Sequence, residues 1–416
     1  MTAEIVIINQ HGVAMAADSA VTIGNQKIIN SAIKLFSLSR TEPVGIMIYG
    51  SANLLTIPWE TLIKLYRKNN TSQLNNLKNY GEGFIDYLNS QLHLYSDEQQ
   101  NHWAESRIRD IYNYIIEQIR RELTELQTKG ASIDDSVINT HTESIILEYL
   151  GVLQDNIQIF QGEIDQAVID RINTISAPLI EMIFPFTSSK PSIRDSLARV
   201  AQLSIFNCSP INSSGIVIAG FGELDIFPSV ITYEIYGVFN NQLLYRIRED
   251  KTIINENSRY MRSDIIPYAQ EDVVRSFLDG IHPELYKYAM DFTEKTIQQT
   301  LADPLLEFKN PIDIKVLSKA CADSLKQEIE RYMTSNLLSP MLDMITALPK
   351  DELAGMAEAL VNMTAFRRKM AFSSMETVGG PVDVAVISKG DGLVWVKRKH
   401  YFPGELNTHF FENYFK

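Results

Sequence analysis

The sequence predicts an α+β fold in which a β-sheet core is interrupted by two long helical segments. Short β-branched runs cluster in the first fifty residues, at 215–248 and at 382–399. Amphipathic helical patterns fill the intervals between these blocks. Blocks of strands separated by blocks of helices indicate one sheet-based domain with helical insertions.

The first fifty residues contain five short predicted strands separated by turn residues. Their spacing is typical of an antiparallel meander, with strands at 4–9, 13–18, 25–30, 34–39 and 44–49. Later strands are predicted at 215–222, 229–237, 242–248, 382–388 and 393–399. The last two are joined by Gly390-Asp391-Gly392, which is a hairpin signal.

Helical periodicity begins near Ala52 and dominates the chain up to Cys208. The clearest amphipathic helix is predicted at 106–129, where Ile108, Ile111 and Ile115 mark the apolar face. Further helices are predicted at 264–280, 286–301, 313–338 and 350–372.

The composition is that of an ordinary globular chain of 416 residues, with 45% hydrophobic and 21% charged residues. A net charge of −13 disfavours a nucleic-acid partner. No apolar run approaches the ~20 residues of a membrane span, and no export signal is found, so we expect no membrane partner. Cys208 and Cys321 cannot form a disulfide framework, which favours a cytoplasmic location. The common metal and nucleotide motifs are missing, so no metal and no cofactor are expected.

The N-terminus carries the strongest chemical signal. Removal of Met1, expected before a small residue, would expose Thr2 with both a hydroxyl and an α-amine, whose ordinary pKa of about 7.7–8.0 suits a base. Asp18 and Lys34 interrupt apolar segments, where an unpaired charge is costly. We therefore expect a buried pair beside Thr2, in which Lys34 lowers the pKa of the hydroxyl and the amine and Asp18 orients Lys34. The alternative is a purely structural salt bridge at a sheet end.

These residues resemble the start of proteasome β-subunits and of the related two-component bacterial protease, which belong to the N-terminal nucleophile (Ntn) hydrolases. That family begins with threonine, followed by an aspartate sixteen residues later and a lysine thirty-two residues later, as Thr2, Asp18 and Lys34 do here. Three further segments are similar to family motifs: Asp18-Ser19-Ala20-Val21-Thr22-Ile23-Gly24, Gly50-Ser51-Ala52 and Gly379-Gly380-Pro381-Val382.

The resemblance implies the four-layer αββα sandwich of Ntn hydrolases. The core would comprise residues 2–68, 213–281 and 351–400, with helical insertions at 69–212 and 282–350 and a C-terminal tail at 401–416. The family's Asp-x-x-Ser before the Gly-Gly is absent, because Met375 and Val378 stand at those positions. The family also has a serine in the turn before its third helix. The candidates for that position in this sequence are Ser258 and Gln270.

The resemblance also implies residue roles. Thr2 would be both nucleophile and base, Asp18 and Lys34 would tune it, and the Gly50 backbone N–H would stabilise the oxyanion. Thr22 would bind the substrate backbone as an added strand. Four apolar side chains would line the specificity pocket: Val21, Ala32, Phe36 and Ile48.

The expected function is therefore a threonine endopeptidase that acts on peptides or unfolded polypeptides. The expected partners are further copies of the chain, in a homo-oligomer, and an ATPase unfoldase. Two alternatives remain open. One is an Ntn amidohydrolase acting on small amides, with the inserted helices capping the site. The other is a non-catalytic scaffold similar to proteasome α-type subunits.

Overall fold

The computed structural model describes residues 3–23, 27–70, 72–130, 132–187, 190–208, 213–253, 262–302, 313–370, 379–400, 402–409 and 412. These residues form a mixed α+β fold, as predicted. The strands are β1 Ala3–Asn9, β2 Gly12–Ala17, β3 Val21–Ile23, β4 Lys27–Ile29, β5 Leu35–Ser37, β6 Val44–Gly50, β7 Asn53–Leu54, β8 Ile57–Pro58, β9 Ser214–Gly220, β10 Ser229–Phe239, β11 Gln242–Thr252, β12 Ser263–Ala269, β13 Asp383–Ser388 and β14 Gly392–Lys397.

The α-helices of the described residues range in length from 8 to 32 residues. They are α1 Trp59–Asn69, α2 Leu77–Ser90, α3 Asp97–Thr128, α4 Asp135–Asp155, α5 Gln166–Ile183, α6 Pro191–Phe206, α7 Glu271–Asp279, α8 Pro283–Leu301, α9 Ile314–Met333, α10 Ser339–Thr346 and α11 Lys350–Lys369.

Two five-stranded antiparallel sheets hold the strands that matter for the site. The first has the order β12-β1-β2-β13-β14, and the second has the order β11-β10-β9-β6-β5. The two sheets pack face to face through one apolar cluster, to which Val6, Ile8 and Met15 contribute from the first sheet and Met47 and Val217 from the second. Because both faces of β1 and β2 are covered, their sequences are apolar almost throughout.

Helices cover the outer face of each sheet. The outer face of the first sheet, including Ile5 and Ile7, packs against α7 and α11. The outer face of the second sheet, including Ile216 and Ile218, packs against α1 and α2. Successive side chains along a strand therefore alternate: one packs between the two sheets, and the next packs against the helices on the outer face.

Two predictions about strands are wrong. The first fifty residues are not one meander, because β1 and β2 belong to the first sheet whereas β5 and β6 belong to the second. Residues 264–280 are not one helix, because β12 occupies Ser263–Ala269 before α7 begins at Glu271. Pro267 fits this strand because β12 lies at the edge of its sheet, where a residue without an N–H is tolerated.

The first helical segment has a hydrophobic core of its own. Helices α3 to α6 share one apolar cluster, which also contains Tyr236, Phe239 and Leu244 of β10 and β11. The predicted helix at 106–129 is the second part of α3, which begins nine residues earlier. Ser96 and Gln99 form a capping box at that point and satisfy the first free N–H groups.

Residues Trp103 and Arg107 attach α3 to the sheet. The Trp103 indole donates a hydrogen bond to the Tyr236 carbonyl at 3.1 Å, and its ring lies over Gly237, where any Cβ would come within 2.2 Å of the ring. The buried Arg107 donates to the Ser204 carbonyl at 2.7 Å and stacks against Trp103 and Tyr236. Burial lowers the pKa of Arg107 to about 10.

The second helical segment is more exposed. Helices α8 and α9 pack against each other, and α8 contains no fully buried residue. Helix α10 contacts β12, and the Ile345 carbonyl accepts a hydrogen bond from the Asn9 side chain at 2.9 Å. In the described part of the chain, no helix is both long and apolar enough to cross a bilayer.

Candidate active site

Asp18 and Lys34 form a buried ion pair at the end of the first sheet. The Lys34 Nζ atom lies 2.5 Å from Asp18 Oδ1, and the side chains are only 4% and 1% exposed. Asp18 follows β2 directly and Lys34 precedes β5, so the two sheets each bring one partner to the gap between them. The structure thus brings together the two charges that interrupt the apolar runs.

Backbone N–H groups surround the Asp18 carboxylate. Oδ1 accepts a hydrogen bond from the Ala3 N–H at 3.1 Å, and Oδ2 accepts from Gly379 at 2.9 Å and from Ala20 at 3.4 Å. Together with Lys34 these donors replace the water that the carboxylate loses on burial. The donors come from three separate parts of the chain, so Asp18 ties the start of β1 to the segment before β13.

The Gly379-Gly380-Pro381 segment lies directly on the residues that follow β2. The Ser19 N–H donates to the Gly379 carbonyl at 3.2 Å, and the Ser19 hydroxyl donates to the Pro381 carbonyl. Gly380 has a positive φ of 79°, and a Cβ there would lie 2.9 Å from the Asn30 side chain. Close approach and left-handed backbone both require glycine at this position.

Gly50 ends β6 beside the ion pair. The Lys34 carbonyl accepts a hydrogen bond from the Ile48 N–H at 2.9 Å. Gly50 follows Ile48 by two residues in the same strand. Gly50 is exposed and has φ of +80°, and a Cβ would lie 2.3 Å from the Ser213 carbonyl oxygen. The left-handed backbone and the close approach to Ser213 both require glycine at this position.

Comparisons with known proteins add nothing to this geometry. No protein-family model matches the chain, and no curated protein does so either.

The loop after Gly50 is fixed by α1. The Trp59 indole donates to the Ser214 hydroxyl at 2.9 Å, and that hydroxyl donates to the Ser51 carbonyl at 3.3 Å. Trp59 is fully buried, so the contact is a stable one. This chain of hydrogen bonds joins the candidate oxyanion position to the helical cover of the second sheet.

The predicted substrate-binding residues have different environments. Thr22 lies in β3 opposite Ile28 of β4. Val21 and Ala32 are half-buried, and the Ala32 N–H donates to the Ser19 carbonyl at 3.1 Å. Phe36 and Ile48 are 4% and 6% exposed and belong to the cluster under α1 and α2.

Several predicted residues lie outside the described part of the chain, namely Thr2, Ser258, Met375 and Val378. Gln270 is described. It is buried, and its side-chain oxygen accepts a hydrogen bond from Arg368 of α11. Gln270 therefore links β12 to α11.

The sequence reasoning missed Glu4. This side chain is 0% exposed, and its Oε1 atom lies 3.3 Å from Lys34 Nζ. The signal was available, because Glu4 opens an apolar β-branched run in the same way that Asp18 closes one. A charged residue in a strand covered on both faces needs a partner, and here that partner is Lys34.

Two tyrosines, Tyr49 and Tyr268, belong to the cluster between the two sheets. Tyr49 and Tyr268 stack with ring centroids 5.1 Å apart, and Arg248 donates to the Tyr49 hydroxyl at 3.1 Å. Burial raises the pKa of Tyr49 to about 12, although Arg248 opposes the effect. Burial likewise raises the pKa of Tyr268 well above its ordinary value. Both phenols are therefore neutral at physiological pH.

Proposed function

We propose that the protein is an N-terminal threonine hydrolase that cleaves peptide bonds after removal of Met1. The observation that carries this proposal is the buried Asp18–Lys34 pair, whose carboxylate accepts a hydrogen bond from the Ala3 N–H. Residue 2 is bonded to that nitrogen, so the carbonyl carbon of a freed Thr2 would lie one covalent bond, ~1.3 Å, from the nitrogen that donates to Asp18.

The proposed reaction uses the terminal residue twice. The Thr2 hydroxyl oxygen attacks the substrate carbonyl carbon while its proton passes to the Thr2 α-amine. The resulting tetrahedral oxyanion is stabilised by the Gly50 N–H and by the positive charge of Lys34. The α-ammonium then donates its proton to the departing amine, which leaves an ester on Thr2. A water molecule deprotonated by the α-amine hydrolyses this ester and regenerates the site.

The fold supports the same proposal. Two face-to-face antiparallel sheets with helices on both outer faces fit the four-layer αββα sandwich of Ntn hydrolases. In this interpretation the segments at 69–212 and 282–350 are insertions into that core. A homo-oligomer that works with an ATPase unfoldase remains part of the proposal.

The test is the variant Thr2→Ala, with Thr41→Ala as a matched control at an exposed threonine. Intact mass should show that the wild-type chain lacks Met1. We expect T2A to lose about a thousand-fold or more in kcat/KM on fluorogenic peptides. We expect the unfolding free energy of T2A to change by less than about 0.5 kcal/mol.

Three outcomes would decide between the candidate functions. Retention of Met1, or full activity of T2A, would contradict the proposed chemistry. Turnover of small amides but not of peptides, lost in T2A, would favour the amidohydrolase. Labelling by a peptidyl epoxyketone, which reacts with both the hydroxyl and the amine of a terminal threonine, should map to Thr2 and would exclude the non-catalytic scaffold.

A further inference from the structure

Glu4 occupies a position in the sheet that ordinarily takes an apolar residue. It lies in β1, opposite Ala17 of β2 and Tyr268 of β12. It shares its side of β1 with Val6 and Ile8, which belong to the cluster between the two sheets. A glutamate with 0% exposure in this place is costly unless it is held by a specific partner.

The partner of Glu4 is the ammonium group that Asp18 also holds. Lys34 Nζ lies 3.3 Å from Glu4 Oε1 and 2.5 Å from Asp18 Oδ1. Two carboxylates thus share one lysine inside the protein. With all three groups ionised the cluster carries one net negative charge, whereas the Asp18–Lys34 pair alone is neutral.

Tyr268, which lies opposite Glu4 in β12, contacts two charged groups of the second sheet. The Tyr268 hydroxyl donates to Glu249 at 3.2 Å, and the Arg248 guanidinium lies 5.9 Å from the Tyr268 ring centre. Arg248 is itself paired with Glu271 at 2.6 Å. Tyr268 and Tyr49 are neutral at physiological pH, so they add no charge of their own.

We propose that Glu4 is a positioning residue of the threonine site, which holds Lys34 together with Asp18 and supplies the negative charge that balances Lys34 at the chain start. The inference rests on the proposed function, because it concerns the amine of Thr2. Consecutive Cα atoms are ~3.8 Å apart, so Glu4 follows the terminal residue by less than ~8 Å of chain. At this range a carboxylate favours the protonated form of an amine, and Lys34 disfavours it.

The balance matters because the amine must both accept and release a proton in each cycle. With only the Asp18–Lys34 pair beside it, the amine would be a weaker base and would accept the hydroxyl proton less readily. Glu4 offsets this effect without removing Lys34 from the oxyanion. The cluster therefore separates two tasks: Lys34 stabilises negative charge on the substrate, and Glu4 maintains the basicity of the terminal amine.

The experiment measures the terminal amine directly, without turnover. Periodate cleaves an N-terminal threonine between the carbons that bear the amine and the hydroxyl, and it requires the amine in its free-base form. The rate of this cleavage is followed by intact mass from pH 6 to 10 for the full-length wild type, Glu4→Gln and Glu4→Asp, and each profile is compared with that of an unstructured peptide that begins with threonine.

Asp264→Asn is the matched control. Asp264 is a carboxylate of the same sheet, paired with Lys251 at 2.7 Å, and it lies opposite Ile8 at the far end of β1. Four residues of strand, or about 13 Å, separate it from Glu4. The D264N variant therefore removes one negative charge and the partner of Lys251, at a residue that does not contact Lys34.

We expect the midpoint of the E4Q profile to fall about one pH unit below that of wild type, whereas D264N and E4D keep the wild-type midpoint. If E4Q lacks the wild-type circular-dichroism spectrum, Glu4→Ala takes its place with the same expected shift. An E4Q midpoint equal to that of wild type, or an equal shift in D264N, would overturn the inference while leaving Thr2 reactive and the proposed function intact. Absence of periodate cleavage in every variant, with Met1 retained, would overturn both.

Discussion

At the scale of single residues, backbone geometry restricts the candidate site as strictly as side-chain chemistry does. Gly50 has φ of +80° and would bring a Cβ within 2.3 Å of a backbone oxygen. Because a backbone atom cannot move aside as a flexible side chain can, substitution must distort β6 or the Ser213 segment. The proposed oxyanion donor is therefore fixed by the fold before any substrate binds.

We predict that Gly50→Ala is destabilised by about 2–4 kcal/mol and loses most of its hydrolytic activity, because left-handed strain and the clash with Ser213 act together. Thermal unfolding and kcat/KM measure the two effects. Gly355→Ala in α11 is the control, since a Cβ there meets nothing within 4 Å, and we expect it to be neutral or slightly stabilising. Equal stability of G50A and wild type would contradict the geometry at residue 50.

The ion pair was predictable from the sequence because an unpaired charge inside an apolar run has few acceptable explanations. Asp18 and Lys34 each interrupt such a run, and the structure confirms that they meet. Glu4 satisfies the same criterion, because it directly precedes the apolar run at 5–8. The sequence pattern identifies which charges need partners, and only the three-dimensional structure shows that two of them share one.

At the scale of elements, Arg248 joins β11 to β6 and to α7. It donates to Tyr49 of β6 and to Glu271 in the first turn of α7. Burial by itself would raise the pKa of Glu271, but the hydrogen bonds from Arg248 and Arg275 outweigh it and lower the pKa below 4.5. A carboxylate whose pKa is lowered in the folded state stabilises the protein above its unfolded pKa.

We predict that Glu271→Gln lowers the unfolding free energy by about 1–3 kcal/mol at pH 7. This difference from wild type should shrink progressively as the pH falls below 4.5, because protonation of Glu271 removes the same interaction from the wild type. Melting temperatures at pH 7 and pH 3 test the prediction, with Glu60→Gln as an exposed control whose ion pair should contribute little. A difference of constant size at both pH values would show that Glu271 acts through packing alone.

Element types followed the sequence patterns better than element boundaries did. The helix predicted at 264–280 failed because Ser263–Ala269 contains two apolar pairs that fit either period, and pairing with β1 decides the outcome. Pro267 favours a strand over a helix here, because a proline in the interior of a helix is far more destabilising than one at a sheet edge. The division of the first fifty residues between two sheets depends on contacts with β9 and β12, more than 150 residues away, which no local pattern reveals.

At the scale of the whole molecule, the four-helix segment α3 to α6 is not an independent attachment. Its apolar cluster includes Tyr236, Phe239 and Leu244, so the core of the helices continues into the edge of the second sheet. The Trp103 indole against Gly237 fixes the approach of α3. Shared cores of this kind favour unfolding of the helical segment together with the sheets.

We predict that Gly237→Ala destabilises the protein by about 1–3 kcal/mol, because the Trp103 ring must move away from the Tyr236 carbonyl. Calorimetry should show one unfolding transition that shifts as a whole. Gly151→Ala in α4 is the control, as a Cβ there meets nothing within 4 Å. Two separate transitions, with only one of them shifted in G237A, would contradict the shared core.

The hydrogen bond from the Gly379 N–H to Asp18 joins residues that are 361 positions apart in the chain. Translation must therefore pass residue 379 before the Asp18 carboxylate receives its full set of donors. Charges that are still in water have only a weak influence on a neighbouring amine. In the proposed hydrolase, the N-terminal site would therefore be completed only after residue 379 has been synthesised and has folded onto Asp18.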